Sequence, residues 1–178
     1  MIPKFQRISE SSDQDFILML DLYVSAFPPD ERRSPAALGK LVDTNPVMAF
    51  YLIRQNDIAM GFIILWHFES FLYGEHFSIW PEYRKSTLAI EVLNLLKKTY
   101  RGIILFEVEP PEDRTSIRRY NFYLRNGFRP VCKDYEQPSY SVDKSPVPMW
   151  ILSNQEEIDG DILGKYLNTI KKEVYKII

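Results

Sequence analysis

The chain has 178 residues, of which 46% are hydrophobic and 26% are charged, as in an ordinary globular protein. Its net charge of −2 gives no general attraction to nucleic acid or to anionic lipid, so we expect neither nucleic acid nor a membrane as a partner. One cysteine and two histidines exclude an internal disulfide framework and a zinc-ligand spacing, so we predict no bound metal.

The first half of the chain predicts a strand, two helices and then two strands. The segment KFQRIS alternates as a short strand does, and the segment from Pro35 to Asp43 is typical of a helix. Between them, apolar side chains recur at the spacing of one helical face: Phe16, Leu20, Tyr23 and Phe27. The segment PVMAFYLIRQNDIAMGFIILWHFES then predicts a hairpin, whose two strands are joined by the polar turn Gln55, Asn56 and Asp57.

The next part of the chain predicts a strand, a helix and a second strand. FLYGEHFSIWP is typical of a long strand. The helix that follows has apolar residues at helical spacing: Leu88, Val92, Leu95 and Leu96. GIILFEVEPP is a continuous apolar run between Gly102 and Pro110, which predicts an interior strand. If the helix is a crossover connection, this strand is parallel to the preceding one.

The last part of the chain predicts a helix, a strand pair and a final helix. EDRTSIRRYNFYLRNGF carries a helical stripe through Ile117, Tyr120 and Leu124, and Asn126 with Gly127 is a left-handed stop signal. RPVCKDYEQPSY and SPVPMWILSN predict the strand pair around a proline-rich loop. The final helix has an apolar face made of Leu163, Leu167, Ile170, Val174 and Ile177.

This order of elements predicts an α+β fold of three layers, α/β/α, with a mixed sheet between helices. No linker interrupts it, so we predict one domain over residues 1–178. The N-terminal segment has no signal-peptide apolar core, and no stretch approaches the roughly 18 apolar residues of a membrane helix. We therefore expect a cytoplasmic location.

The turn PEYRKSTLAI, between the long strand and its helix, has two interpretations. A helix N-terminus binds phosphate through free backbone N–H groups, and Arg84, Lys85, Ser86 and Thr87 add charge and hydroxyl donors. Phosphate-binding turns are usually rich in glycine, however, and this one has none. On the other interpretation Ser86 or Thr87 only caps the helix, and the two cations are solvated.

Three segments, in this order, resemble the GNAT superfamily of acyltransferases. GEHFSIWPEYRKSTLAIEVLNLL is similar to its strand, pyrophosphate turn and helix, ILFEVEPP to the strand that follows, and RRYNFYLRNGF to a later helix. With AFPPDERRS, EVEPPED and DYEQPSY the resemblance extends over nearly the full length and is shared with an uncharacterised bacterial subgroup. It implies a mixed, mostly antiparallel sheet flanked by helices and an acetyl-CoA-dependent N-acetyltransferase.

The resemblance implies where coenzyme A binds. Its contacts are the end of the long strand and the turn: Phe77, Ser78, Ile79, Arg84, Lys85, Ser86, Thr87, Leu88 and Ala89. The family's turn usually reads Q/R-x-x-G-x-G/A, and here Thr87 stands at the first glycine position and Ala89 at the last. Losing one charge-assisted hydrogen bond, at roughly 1.5–3 kcal/mol, weakens binding by about tenfold to a few hundredfold.

Acyl transfer to an amine needs a base for the incoming ammonium and an acid for the departing thiolate. The resemblance implies Glu75 as the base and Tyr123 as the acid, while a solvated or paired glutamate and a core tyrosine are the alternatives. Strand alternation places Glu75, Phe77 and Ile79 on one face and His76, Ser78 and Trp80 on the other. His76 could also be a base, because an unperturbed imidazole titrates at about 6.5, but its predicted face favours a buried or pairing role.

The segment DERR lies between the first two helices, where the resemblance implies the border of the acceptor pocket. We therefore expect Glu31 or Arg33 to contact the substrate, although such a run is usually a solvated turn. We expect the acceptor to be a primary amine on a small molecule or a peptide, and the protein to be a monomer or a homodimer. The alternative is a degenerate member of the fold that serves as a binding module, for which the turn without glycine is the argument.

One geometric prediction concerns the sheet. Pro81 follows the long strand, and Pro110 and Pro111 follow the strand GIILFEVE. Because proline ends ladder pairing, we expect these two strands to separate at the same side of the sheet. The resulting notch would receive the pantetheine arm of the coenzyme.

Overall fold

The computed structural model describes residues 2–176. Within these residues seven strands form one sheet in the order β1-β2-β3-β4-β5-β7-β6. The strands are β1 Lys4–Ile8, β2 Met48–Gln55, β3 Ile58–His67, β4 Phe71–Ile79, β5 Ile103–Val108, β6 Arg129–Gln137 and β7 Val147–Ser153. The helices are α1 Gln14–Ala26, α2 Pro35–Thr44, α3 Leu88–Thr99, α4 Arg114–Arg125 and α5 Gly160–Glu173.

Every neighbouring pair of strands is antiparallel except β4 and β5, which are parallel and are connected by the crossover helix α3. This confirms the predicted interior, parallel position of the strand GIILFEVE. It also confirms the hairpin of β2 and β3, whose turn residues Asn56 and Asp57 adopt φ values of 53° and 61°. Two left-handed residues in a row make the tight turn that matches strand twist.

Two apolar cores lie on opposite faces of the sheet. On one face, Phe16 of α1, Leu38 of α2 and Ile170 of α5 pack with Phe62 and other sheet residues. On the other face α3 and α4 cover Ile63, Leu65, Ile104 and Phe106. Helices on both sides of a mixed sheet give the three-layer α+β architecture that the order of elements predicted.

The helix boundaries follow local signals. Asp113 accepts hydrogen bonds from the backbone N–H groups of Thr115 and Ser116 at the start of α4, and Gly127 ends the helix with φ 82°. The predicted buried face of α4 was wrong: Ile117, which was assigned to it, is exposed, whereas Ser116 and Tyr123 are buried. Four of the twelve residues of α4 are arginines, so its few apolar residues did not define which face of the helix is buried.

The final helix ends at Glu173, and Val174 follows it as a buried residue. Ile177, which the sequence assigned to the same helical face, lies outside the described residues. Within residues 2–176 we find no helix with the length and apolar character needed to span a bilayer.

Candidate functional site

The sheet splits between β4 and β5. Their parallel ladder runs only from the pair Phe71 and Ile103 to the pair Gly74 and Phe106, although β4 continues to Ile79. The predicted separation is thus confirmed. It begins at Glu75, well before Pro81, so the prolines are not its immediate cause. The aromatic ring of Phe106 lies against Gly74, where any Cβ would overlap it, and this contact is the last one before the strands diverge.

A β-bulge at the mouth of the split changes the orientation of β4. Leu65 pairs with Gly74 and Ile64 pairs with His76, which leaves Glu75 as the extra residue. A bulge breaks the strict alternation of side chains. As a result Glu75 and His76 point to the same face of the sheet, with 3.9 Å between Glu75 Oε1 and His76 Nδ1. The prediction that His76 lies on the face opposite Glu75 was therefore wrong.

Glu75 is held by three donors from distant parts of the chain. Its Oε1 accepts hydrogen bonds from the Arg33 guanidinium and from the Tyr140 hydroxyl at 2.8 Å. Its Oε2 accepts one from Trp66 Nε1 at 2.7 Å. Both oxygens are therefore occupied within the protein.

Arg33 is buried with Glu75 and has a second anchor. Its Nη2 donates to the Val174 carbonyl at 2.7 Å, and the Tyr140 ring lies 4.5 Å from its guanidinium carbon. Burial raises the pKa of Glu75, but the Arg33 charge, His76 and the bonds from Trp66 and Tyr140 outweigh burial and leave that pKa below its ordinary value. Glu75 is thus an ionised carboxylate in a buried ion pair.

The proline-rich loop between β6 and β7 lies over this ion pair. Besides the Tyr140 contact, Gln137 Nε2 donates to the Asp30 carbonyl at 3.2 Å and Lys144 Nζ donates to the Arg32 carbonyl. These bonds attach the loop and the end of β6 to the segment that follows α1. The loop therefore forms one wall of the site.

A cavity lies at the split and joins the two faces of the sheet. Its lining includes four of the residues that the sequence singled out, Glu31, Glu75, Phe77 and Tyr123, together with His76. Arg33 is not among the residues that line the cavity, but it forms an ion pair with Glu75, which is. The turn from Arg84 to Ala89 does not line this cavity.

Tyr123 lies on α4 at the cavity wall. It is 6% exposed and packs against the rings of Phe106, Phe122 and Phe128. Burial raises the pKa of its hydroxyl, with a smaller opposing effect of Arg119, so the phenol stays protonated at neutral pH. A protonated hydroxyl that borders the cavity suits the predicted role of proton donor, which stays a prediction.

Glu31 and His76 also border the cavity. Burial, followed by the charge of Glu109, raises the pKa of Glu31 to about 7. His76 Nε2 lies 2.9 Å from the Glu31 carbonyl, and the ring packs between Tyr23 and Phe27. Burial lowers the pKa of His76 more than Glu75 and the Glu31 carbonyl raise it, so the imidazole is neutral. The expectation that His76 is buried is confirmed.

The turn before α3 has hydroxyls that are already bonded. Ser86 Oγ donates to the Tyr83 carbonyl at 2.7 Å and accepts from Leu88 N–H at 3.2 Å, while the Thr87 hydroxyl donates to the Glu91 carboxylate. Arg84 Nε donates to the Ile79 carbonyl at 2.7 Å. The Ser86 hydroxyl thus accepts from the first N–H group of the helix, while Thr87, the N-cap residue, makes no side-chain cap.

The same turn keeps free backbone donors. Among the described residues, the N–H groups of Lys85, Thr87 and Ala89 have no hydrogen-bond acceptor. Thr87 has a φ of −78°, so the backbone at this position does not need the positive φ that favours glycine. The anion-binding interpretation therefore rests on backbone amides rather than on the side chains that the sequence suggested.

Sequence reasoning missed Glu107, which lies on β5 directly after Phe106, the last residue paired with β4, and which pairs with Ile151 of β7. Its Oε2 accepts hydrogen bonds from the Tyr73 hydroxyl and from the Tyr175 hydroxyl at 3.0 Å. Burial raises the pKa of Glu107 to about 8, although both tyrosine hydroxyls lower it. The available signal was a glutamate inside the otherwise apolar run IILFEV.

The described part of the chain contains no group of three or more His, Cys, Asp or Glu side chains placed to hold a metal ion. No protein-family profile matches the sequence, and neither does any curated protein.

Several solved structures are similar. A protein of Bacteroides thetaiotaomicron assigned to the GNAT family of acetyltransferases is 31% identical with a TM-score of 0.90, over 98% of this chain and 99% of that one. An acetyltransferase of Thermus thermophilus is 8% identical with a TM-score of 0.64, over 86% and 96%. The PaiA N-acetyltransferase of Thermoplasma acidophilum, solved with coenzyme A, is 17% identical with a TM-score of 0.54, over 86% and 98%. The last two share the fold alone.

Proposed function

The chain belongs to the GNAT family, and we propose that it transfers an acetyl group from acetyl-CoA to a primary amine of a small molecule or a peptide. The observation that carries this proposal is the split between β4 and β5, because it opens a cavity through the sheet. Tyr123 borders this cavity from the side of α4, and Glu31 and His76 border it from the side of α1. Donor and acceptor can therefore meet in it from opposite faces.

The split also supplies a binding edge for the donor. From Glu75 to Ile79 the β4 strand has β3 on one side and no ladder with β5 on the other. An extended segment with amide groups binds such an edge through main-chain hydrogen bonds. The pantetheine arm of acetyl-CoA has this chemistry, so Phe77, Ser78 and Ile79 are proposed to contact it.

The pyrophosphate is proposed to bind at the N-terminus of α3. The free amides of Lys85, Thr87 and Ala89 and the positive end of the helix dipole provide the attraction. Leu88 is 2% exposed and anchors the helix start in the core. The carboxylate of Glu91 is bonded to the Thr87 hydroxyl and repels an anion there, so we expect weak binding of coenzyme A.

In the proposed reaction the deprotonated amine attacks the thioester carbonyl, a C–N bond forms and the C–S bond breaks. The thiolate of coenzyme A takes up a proton, for which Tyr123 is the predicted donor. The predicted role of Glu75 as the base also stays a prediction. Its two oxygens are occupied by Arg33, Tyr140 and Trp66, which favours a part in holding the site together.

Calorimetric titration with acetyl-CoA tests the proposal, followed by measurement of free thiol released in the presence of primary amines. We expect a dissociation constant in the micromolar range and thiol release that depends on an amine. A matched titration with acetate, which has the acyl group but no nucleotide, should give no heat. Absence of heat with acetyl-CoA would contradict the proposal.

One observation favours the second candidate, a degenerate fold member that acts as a binding module. The turn contains no glycine, and the hydroxyls of Ser86 and Thr87 are bonded to the protein itself. The titration separates the two functions, because a module without coenzyme binding gives neither heat nor thiol release. A cytoplasmic location, a monomeric or homodimeric state and the absence of nucleic-acid, membrane and metal partners stay predictions.

A further inference from the structure

Two residues that line the cavity at the split each have a buried polar atom that lacks a hydrogen-bond partner. Within residues 2–176 three buried side-chain atoms have none: His76 Nδ1, Glu107 Oε1 and Tyr135 Oη. The first two belong to residues that line the cavity, and Tyr135 does not line it. Because an unpaired buried polar group costs free energy, two in one cavity indicate a ligand that supplies their partners.

The free nitrogen of His76 is a hydrogen-bond acceptor. Its other nitrogen, Nε2, lies 2.9 Å from the Glu31 carbonyl, which can only accept a hydrogen bond. Nε2 therefore carries the ring hydrogen. In the neutral imidazole this leaves a lone pair on Nδ1, directed at no donor in the described residues.

The free oxygen of Glu107 belongs to a carboxyl that is already positioned. The hydroxyls of Tyr73 and Tyr175 both donate to Oε2, which orients the group and favours its ionised form. Because burial outweighs these bonds, the free carboxyl is neutral at pH 7; a bound cation favours the ionised carboxylate, in which Oε1 is an acceptor without a donor. A ligand that satisfies both atoms must bring at least two N–H or O–H donors, and a primary ammonium brings three.

We propose that the acceptor's amino group binds between Glu107 Oε1 and His76 Nδ1, and that Glu107 removes its proton before attack. This inference rests on the proposed acetyl transfer, and it identifies the acceptor as an amine that arrives as an ammonium ion. Glu75, by contrast, offers no free oxygen because Arg33, Tyr140 and Trp66 occupy both. In this chain Glu107 is the base, and Glu75 with Arg33 is the fixed support beside it.

The protons balance as follows. One ammonium proton passes to Glu107 and leaves to solvent after the turnover. The neutral amine attacks, and the nitrogen of the resulting intermediate gives up a second proton, which ends on the coenzyme A thiolate. The net reaction converts an ammonium and a thioester into an amide, a thiol and one released proton.

Burial makes Glu107 a better base than an ordinary carboxylate. Its pKa of about 8 lies closer to the value of about 10.4 for an alkyl ammonium than the usual carboxyl value of 4.5 does. The equilibrium constant for taking a proton from the ammonium is therefore roughly three thousandfold larger for Glu107 than for an ordinary carboxylate, although the equilibrium still favours the ammonium. Tyr73 and Tyr175 contact Glu107 directly, and the other titratable or charged groups that interact with it electrostatically are Glu75, Arg33, Tyr135 and Tyr140.

The test compares wild type with Glu107→Gln, and uses Glu136→Gln on the exposed side of β6 as the matched control. With the fastest amine of a panel of alkyl amines, diamines and lysine peptides, we expect Glu107→Gln to lower kcat/KM by about 100- to 10,000-fold. Acetyl-CoA affinity should stay within about twofold. The rise of kcat/KM with pH near 8 should be present in wild type and absent in Glu107→Gln. Equal kcat/KM in the two proteins would overturn the proposal.

A second variant serves if Glu107→Gln does not fold. Tyr175→Phe removes one donor to the Glu107 carboxylate, which favours its neutral form. The pH profile of kcat/KM should therefore move to higher pH. A purely structural role of Tyr175 would lower the rate without moving the profile, and that result would contradict the proposal.

A third measurement needs no known acceptor. The ¹³C resonance of the Glu107 carboxyl, identified by its absence in Glu107→Gln, is followed at pH 7 while ethylammonium is added. We expect the resonance to move to its ionised position, and an unchanged resonance at saturating ethylammonium would overturn the inference. Failure of acetyl-CoA to bind would instead contradict the proposed function, so the two failures are distinguishable.

Discussion

Replacing Glu75 by Gln should destabilise the protein, because the change leaves the buried Arg33 guanidinium without its carboxylate. The side chains of Arg33 and Glu75 are only 7% and 1% exposed, so water cannot replace the lost charge. The new amide group also brings N–H donors to a position where Arg33, Trp66 and Tyr140 already donate. Removing one partner of a buried pair costs about 3–5 kcal/mol, which corresponds to roughly 6–20 °C in Tm for a chain of this size.

Thermal unfolding followed by circular dichroism at pH 7 measures this effect, with the exposed Glu136→Gln as the control that should leave Tm unchanged. The double variant Arg33→Met, Glu75→Gln should be more stable than Glu75→Gln alone, because it buries no unpaired charge. The reasoning is refuted if Glu75→Gln lowers Tm by less than about 2 °C and the double variant gains nothing. A folded Glu75→Gln with lost turnover would instead support Glu75 as the base.

Three further predictions concern the site. Tyr123→Phe should lower kcat by roughly 10- to 1000-fold with acetyl-CoA affinity nearly intact, and equal rates would leave Tyr123 a core residue. Thr87→Gly should tighten coenzyme A binding in calorimetry, because it removes a Cβ at the helix start. The change should destabilise the helix by up to roughly 1 kcal/mol. Unchanged binding would mean that the turn only caps the helix. The raised pKa of Glu107, about 8 in the folded protein, means that wild type loses stability as pH rises from about 4.5 to 8. Glu107→Gln should therefore gain roughly 3–5 kcal/mol over wild type between these pH values in denaturant unfolding, and a pH-independent difference would contradict the raised pKa.

Local sequence patterns were sufficient for most of the fold. Turn residues with left-handed propensity, Asn56, Asp57 and Gly127, marked a hairpin and a helix end that the structure confirms. The continuous apolar run of β5 indicated an interior strand because both of its faces are covered by helices. These features depend on residues near one another in the chain, so their period and composition are visible in the sequence. The buried face of α4 was not visible in the sequence, because Ile117 fits the apolar pattern but is exposed.

The arrangement of the site was decided by contacts between distant residues. Glu75 and Arg33 are 42 positions apart, and Tyr175 and Glu107 are 68 positions apart. The sequence named Glu75, Arg33, Glu31 and Tyr123 as site residues, and the structure brings them to one cavity or its wall. The sequence did not reveal that both oxygens of Glu75 are bonded within the protein while one oxygen of Glu107 has no partner. That distinction depends on the β-bulge in β4, which sets the direction of the Glu75 side chain, and on burial. Burial shifts a carboxyl pKa only in the folded protein, where water is removed from the group.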